Sequence, residues 1–226
     1  MNKHRRHSPS ALFQALGIGG CICVALFSGG VNGASAQETK TLTRFHDPVV
    51  MNTSMLMGLP TRNTVGYRLY SAHQDILSPI PFQFDERDER GEMVFSETAA
   101  QSEFQFDEND ELVFMAKDTG DRIATELLPA MSDAAVEIEV TDPVTRARGW
   151  AYLLYFPGSM PPSSPVTYAR FDAEANQART LFYTVDNYPG RNFFTGLRIA
   201  PARVGTDEDI LQRIKLRVHP TFSMFL

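Results

Sequence analysis

Two acidic clusters carry the residues best suited to chemistry. Phe82-Gln83-Phe84-Asp85-Glu86-Arg87-Asp88-Glu89 returns 22 residues later as Phe104-Gln105-Phe106-Asp107-Glu108-Asn109-Asp110-Glu111, with seven of the eight positions identical. Calcium takes about 6–8 hard oxygen ligands from carboxylates and carbonyls, and loops that alternate Asp with Asn supply them. The second copy shows that alternation in Asp107, Asn109 and Glu111, with Asp110 between them, and Asp118 and Asp121 follow closely. Asp107, Asn109, Asp110, Glu111, Asp118 and Asp121 are therefore the candidate metal ligands, and calcium is the cofactor they suggest. The spacing departs from an EF-hand loop, because Leu112 stands where that loop needs glycine and no distal glutamate follows in place. In the first copy Arg87 would oppose a cation. The competing reading is that these carboxylates solvate turns and pair with Arg87, Arg90, Lys117 and Arg122.

Other chemistries find less. A glycan hydrolase needs two carboxylates about 5–10 Å apart across a cleft. The acids are numerous, but nothing selects a pair, so no catalytic residue is assigned. His46, His73 and His219 are widely separated and lack the paired spacing of a zinc site. No G-x-S-x-G elbow is present. Aromatic residues suggest a platform for sugar rings, drawn from Trp150, Tyr152 and Tyr168 or from Tyr183 and Tyr188. Trp150 opens the most apolar stretch and reads as core. Tyr188-Pro189-Gly190-Arg191-Asn192 reads as an exposed turn, which makes Tyr188, Arg191 and Asn192 the candidate ligand-binding residues.

The elements that must position these residues are strands. Ile80–Asp85, Leu112–Ala116, Ala135–Thr141, Trp150–Phe156, Val166–Asp172 and Arg179–Val185 are short apolar or alternating runs bounded by turn residues. Leu112–Ala116 is continuous enough to predict burial on both faces, whereas Glu137 and Glu139 predict a solvated side for their strand. A single short helix is predicted over Asp207–Arg213, capped by Thr206. Leu216, Val218, Phe222, Met224 and Leu226 then alternate to the last residue. Either a final strand closes the sheet there, or the chain is a shortened version of a longer protein. The absence of amphipathic crossings disfavours parallel α/β architecture and predicts an all-β antiparallel β-sandwich.

The N-terminus predicts export. Lys3, Arg5 and Arg6 precede an apolar span from Ala11 to Phe27, and Ala34-Ser35-Ala36 offers a cleavage pattern before Gln37. Residues 1–36 are thus expected to be a signal peptide and 37–226 a single β-sandwich domain, periplasmic or extracellular, with no membrane span after cleavage. Ile18-Gly19-Gly20-Cys21 loosely resembles a lipoprotein site, but the apolar run continues beyond it. The leader holds three of the 21 Lys and Arg and none of the 27 Asp and Glu, which leaves a mature net charge of −9. Such a chain is a poor partner for nucleic acid or anionic lipid. Both cysteines, Cys21 and Cys23, fall within the leader, so no thiol nucleophile or disulfide remains.

Ile80-Pro81-Phe82-Gln83-Phe84-Asp85-Glu86-Arg87-Asp88, followed by Asp107-Glu108-Asn109-Asp110-Glu111-Leu112-Val113-Phe114-Met115-Ala116, resembles a pattern in uncharacterised exported bacterial proteins. There an I-P-h-Q-h-D strand precedes a D-E-h-V-F-h-A strand. The resemblance implies a β-sandwich, a glycan context in some cases and a longer chain than this one, and it carries over no catalytic residue. The function expected is a binding or structural module of the cell envelope, with a glycan or an envelope protein as partner. A glycan-active hydrolase or lyase with a carboxylate pair and a calcium-dependent carbohydrate-binding module remain as alternatives. An assembly protein whose last strand completes a partner's sheet is a third class.

Overall fold

The computed structural model describes residues 37–56, 58–94, 105–189, 193–200 and 205–211, together with the backbone of 23–27. Among the described residues twelve strands carry the fold: β1 Cys23–Phe27, β2 Pro48–Asn52, β3 Tyr67–His73, β4 Ile76–Pro79, β5 Phe82–Asp85, β6 Glu111–Met115, β7 Ala134–Thr141, β8 Arg148–Tyr155, β9 Ala169–Asp172, β10 Gln177–Thr180, β11 Tyr183–Asn187 and β12 Phe194–Ile199. They form three antiparallel sheets, in the orders β1-β7-β8-β3-β4, β2-β6-β5 and β12-β11-β10-β9. The all-β class expected from the sequence is the one observed. Among the described residues no helix is long and apolar enough to cross a membrane.

The chain divides into two compact units, Met1–Val166 and Thr167–Leu226. In the first, the five-stranded and three-stranded sheets share a core as the layers of a sandwich do. Leu69, Val136, Ile138, Val140, Ala151 and Leu153 of one meet Val49, Met51, Leu112 and Phe114 of the other. The opposite face of the larger sheet is covered too, with Tyr70, Ala72, Trp150, Tyr152 and Leu154 gathered around Ile123. That double burial explains why Trp150–Phe156 is a continuous apolar run. By contrast, β6 alternates: Leu112 and Phe114 are buried and Val113 and Met115 only half-buried, so its outer face is not covered as the sequence suggested.

The echo folds asymmetrically. Its first copy is β5 and the acidic turn after it. In the second copy Gln105 makes only an isolated bridge to Asn63, and the acidic end opens β6 instead of closing a strand. What the copies share is an aromatic layer, since the Phe84 and Phe106 rings stack at 5.1 Å with 5° between their planes.

The helix expected over Asp207–Arg213 is not found in its described part, 207–211; residues 212 and 213 lie outside the described residues. The described residues contain only 3-10 turns, at Thr53–Leu56, Thr64–Gly66, Ala116–Asp118 and Thr125–Leu127, and none at 205–211. Asp209 forms a bridge with Arg198, and its carboxylate accepts the amides of Leu197 and Leu211, each at 2.9 Å. Those bonds hold the backbone beside β12, and a short side chain that satisfies local amides outcompetes a helical turn.

The β7–β8 hairpin turns on Asp142, whose carboxylate accepts the Val144 amide at 2.8 Å and the Arg44 Nε–H at 2.8 Å. The Arg44 guanidinium, with the amides of Val144 and Thr145, holds this carboxyl well below the usual carboxylate range. A depressed folded value stabilises the fold above the unfolded value of about 4, and that stability is lost as pH falls from there toward the folded value. Asp142→Asn is therefore expected to be less stable at neutral pH, with a flatter stability profile below about pH 5. Urea unfolding of both proteins between neutral and strongly acidic pH tests this, and the two curves should converge at the acid end.

Candidate binding surface

Of the six candidate metal ligands, Asp107, Asp110 and Asp121 accept backbone amides and Glu111 pairs with a guanidinium. Asp110 is buried, and its two oxygens accept the amides of Arg87 at 2.9 Å and Asp107 at 2.8 Å. Asp107 in turn accepts the Asn109 amide at 2.7 Å. Glu111 Oε2 accepts both Arg87 Nη2 at 2.6 Å and Nε at 3.0 Å. The one position that differs within the echo thus supplies the counter-charge at the junction of its two copies. Asp118 ends the 3-10 turn Ala116–Asp118, and Asp121 accepts the amides of Lys40 at 2.8 Å and Gln74 at 3.1 Å. Burial would raise the Asp121 carboxyl, yet those two amides carry it below its usual range. Among the described residues no group of three or more His, Cys, Asp or Glu is placed to hold a metal ion.

Other carboxylates that the sequence left solvated are tied into ion pairs. Glu137 is only 8% exposed and lies 2.8 Å from Arg122 Nη2. Arg122 also meets Glu38 at 3.3 Å, and Glu38 reaches Arg148 at 2.5 Å. The expectation of a solvated side for β7 therefore fails at Glu137, because 119–128 covers that face. Lys40 lies nearby, with its ammonium donating to the carbonyls of Lys117 and Thr119 at 2.7 Å each. Burial lowers its pKa against the opposing pull of Asp118 and Asp121. Each of these charged groups has a structural partner.

The second unit contrasts with this. Its sheet sorts residues by face with a period of two. Cross-strand register places Phe171, Ala178, Val185 and Leu197 in one row, with Tyr183 opposite Ile199 on the same face. The other face carries Arg170, Arg179, Thr184 and Arg198 in a row, flanked by Asp172, Gln177 and Asp186. That polar face is laced together: Arg198 reaches Asp186 at 2.7 Å, and Gln177 Nε2 donates to Asp186 at 2.7 Å.

The apolar face has no such partners. Phe171 is 63% and Tyr183 41% exposed, and Ala178, Val185, Leu197 and Ile199 are half-buried. Every buried hydrophobic residue described lies in the first unit. A sheet normally buries one face against another layer. Here the described residues present that face instead, with Leu181, Phe182 and Phe194 also exposed around it.

The candidate ligand-binding turn borders this sheet. Tyr188 is 51% exposed, and its amide donates to the Phe193 carbonyl at 2.8 Å across the turn between β11 and β12. Arg191 and Asn192 lie outside the described residues, as does the alternating segment Leu216–Leu226. The apolar row itself was open to sequence reasoning, since Phe171, Tyr183, Val185, Leu197 and Ile199 keep a strict alternation. Its exposure was not, because period reports which residues share a face and not what covers it.

No protein-family model, no curated protein and no solved structure matches this chain.

Proposed function

We propose that the protein is an exported binding or structural module of the cell envelope that engages its partner through the apolar face of the β9–β12 sheet. The observation that carries this is the exposure of Phe171 and Tyr183 on a sheet without a buried apolar residue among those described. Contiguous apolar surface of this kind marks contact sites. The row is built from Phe, Tyr, Val, Leu, Ile and Ala, and suits an apolar protein surface better than a sugar, whose hydroxyls ask for polar groups within the platform. Asp107, Asp110, Glu111, Asp121 and Glu137 of the first unit are engaged in hydrogen bonds to amides or in ion pairs, so the carboxylate-pair enzyme draws no support from them.

The test is fractionation of the protein expressed in a bacterial host that exports it. The wild-type chain should sediment with the envelope, and Phe171→Lys or Tyr183→Lys should move most of it to the soluble exported fraction. Trp150 is the only tryptophan and belongs to the first unit, so its fluorescence reports whether that unit remains folded in each variant. Equal distribution of wild type and variants between the fractions would reject this contact surface.

A further inference from the structure

β7 pairs with β8 through all of its residues from Ala134 to Thr141. Its other edge pairs with β1, which sets Val24 opposite Val140 and Leu26 opposite Ile138, from Cys23↔Thr141 to Phe27↔Glu137. β1 comes from the apolar run of the expected leader. Cleavage after Ala36 would remove it while leaving the following segment seated. Glu38 pairs with Arg122 and Arg148, the Thr41 and Leu42 amides both donate to the Arg148 carbonyl at 2.8 Å, and Leu42 is buried. Processing would therefore strip the hydrogen-bonding partner from Glu137–Thr141 without loosening the sheet behind it.

An edge exposed in this way is a template for strand addition unless something blunts it. β7 contains no proline, glycine or lysine, and its register with β8 runs without a bulge. Its two charges, Glu137 and Glu139, are matched by Arg122 and Arg148 within the same chain. We infer that the processed protein accepts, along the outer edge of β7, an extended apolar strand from another polypeptide in the antiparallel register that β1 occupies. The ladder of backbone bonds supplies affinity, and apolar residues opposite Val140 and Ile138 supply selection. A carboxylate opposite Ile138 is excluded, because Ile138 faces the core. This inference rests on the export reading for the removal of β1 and is independent of the apolar face of the second unit.

The experiment uses the chain 37–226 and a synthetic peptide of residues 22–28 carrying Cys23→Ser. Hydrogen exchange at those amides of Glu137–Thr141 that point away from β8, about every second one, is measured with and without the peptide, and light scattering gives the mass. Saturating peptide should slow these amides by about tenfold or more, and the same peptide carrying Leu26→Asp should have no effect. Unchanged exchange with the unmodified peptide, or equal protection by both peptides, would overturn the proposal. So would protection already present without peptide, with a monomer mass pointing to the chain's own 212–226 segment and a dimer mass to a second copy. If the short chain does not fold, a full chain with a protease site placed in 28–36 is folded, cut and measured in the same way. N-terminal sequencing of the exported protein separates the two ideas: a start upstream of Cys23 refutes leader removal itself, whereas a start at Gln37 with unresponsive amides refutes only strand acceptance.

Discussion

Gly120→Ala is expected to lower the thermal midpoint of the first unit by about 10 °C, equivalent to about 3 kcal/mol of overpacking. A methyl group at Gly120 would sit 2.1 Å from the Ala72 carbonyl oxygen and 2.7 Å from its nitrogen. Neither atom can retreat cheaply. The Gly120 amide donates to Trp150 O at 2.8 Å, the Trp150 amide returns a bond at 2.9 Å, and the Asp121 amide donates to Ala72 O at 2.7 Å. The segment is thus stitched to both β3 and β8 at the one point where a Cβ would intrude. Gly158→Ala is the control, because nothing lies within 4 Å of its added carbon. Trp150 fluorescence during heating reads both variants, and an unchanged midpoint for Gly120→Ala would mean that the segment is not held as described.

Arg122→Met is expected to cost about 3–5 kcal/mol, because it leaves a buried carboxylate without its counter-ion. Arg122 Nε lies 3.0 and 3.2 Å from the two oxygens of Glu137, and no other cation is paired with Glu137 among the described residues. Tyr152 sits against the same carboxylate at 3.4 Å, and its hydroxyl also accepts the Ile123 amide at 2.8 Å. Burial holds that phenol well above its ordinary pKa, so it cannot supply charge to the cluster. Arg122→Met combined with Glu137→Gln removes both charges and should recover most of the loss, because an apolar or neutral pair avoids the desolvation cost. Chemical denaturation of the single and double variants measures the coupling. Equal stability of Arg122→Met and the wild type would show that Glu137 is solvated after all.

The strands were legible because side chains alternate across a pleated sheet, and Val136, Ile138 and Val140 or Phe82 and Phe84 record that alternation directly. Burial on both faces was expected at Leu112–Ala116 and is found instead at β8, because a short continuous apolar run does not report how many layers cover it. Glu137 was misread because alternation predicts a face and not its cover, and the cover comes from 119–128, an irregular segment without periodicity. The helix over Asp207–Arg213 failed at Asp209, where bonds to the amides of Leu197 and Leu211 compete with helical ones. The acidic echo suggested ligands because local spacing carries no information about amides brought in from elsewhere. Asp110 is satisfied partly by Arg87 and Asp121 by Gln74, both remote in sequence. The apolar row of the second unit was visible as a pattern, and only the fold revealed that Phe171 and Tyr183 within it are exposed.

The most direct measurement is hydroxyl-radical footprinting of the exported protein, first purified and then in association with the envelope. In the purified protein Phe171 and Tyr183 should both oxidise readily, along with Met131, which is 64% exposed in the first unit. In the envelope the account predicts that Phe171 and Tyr183 become protected severalfold while Met131 oxidises as before. Oxidation of Phe171 and Tyr183 at the same rate in both preparations would contradict it.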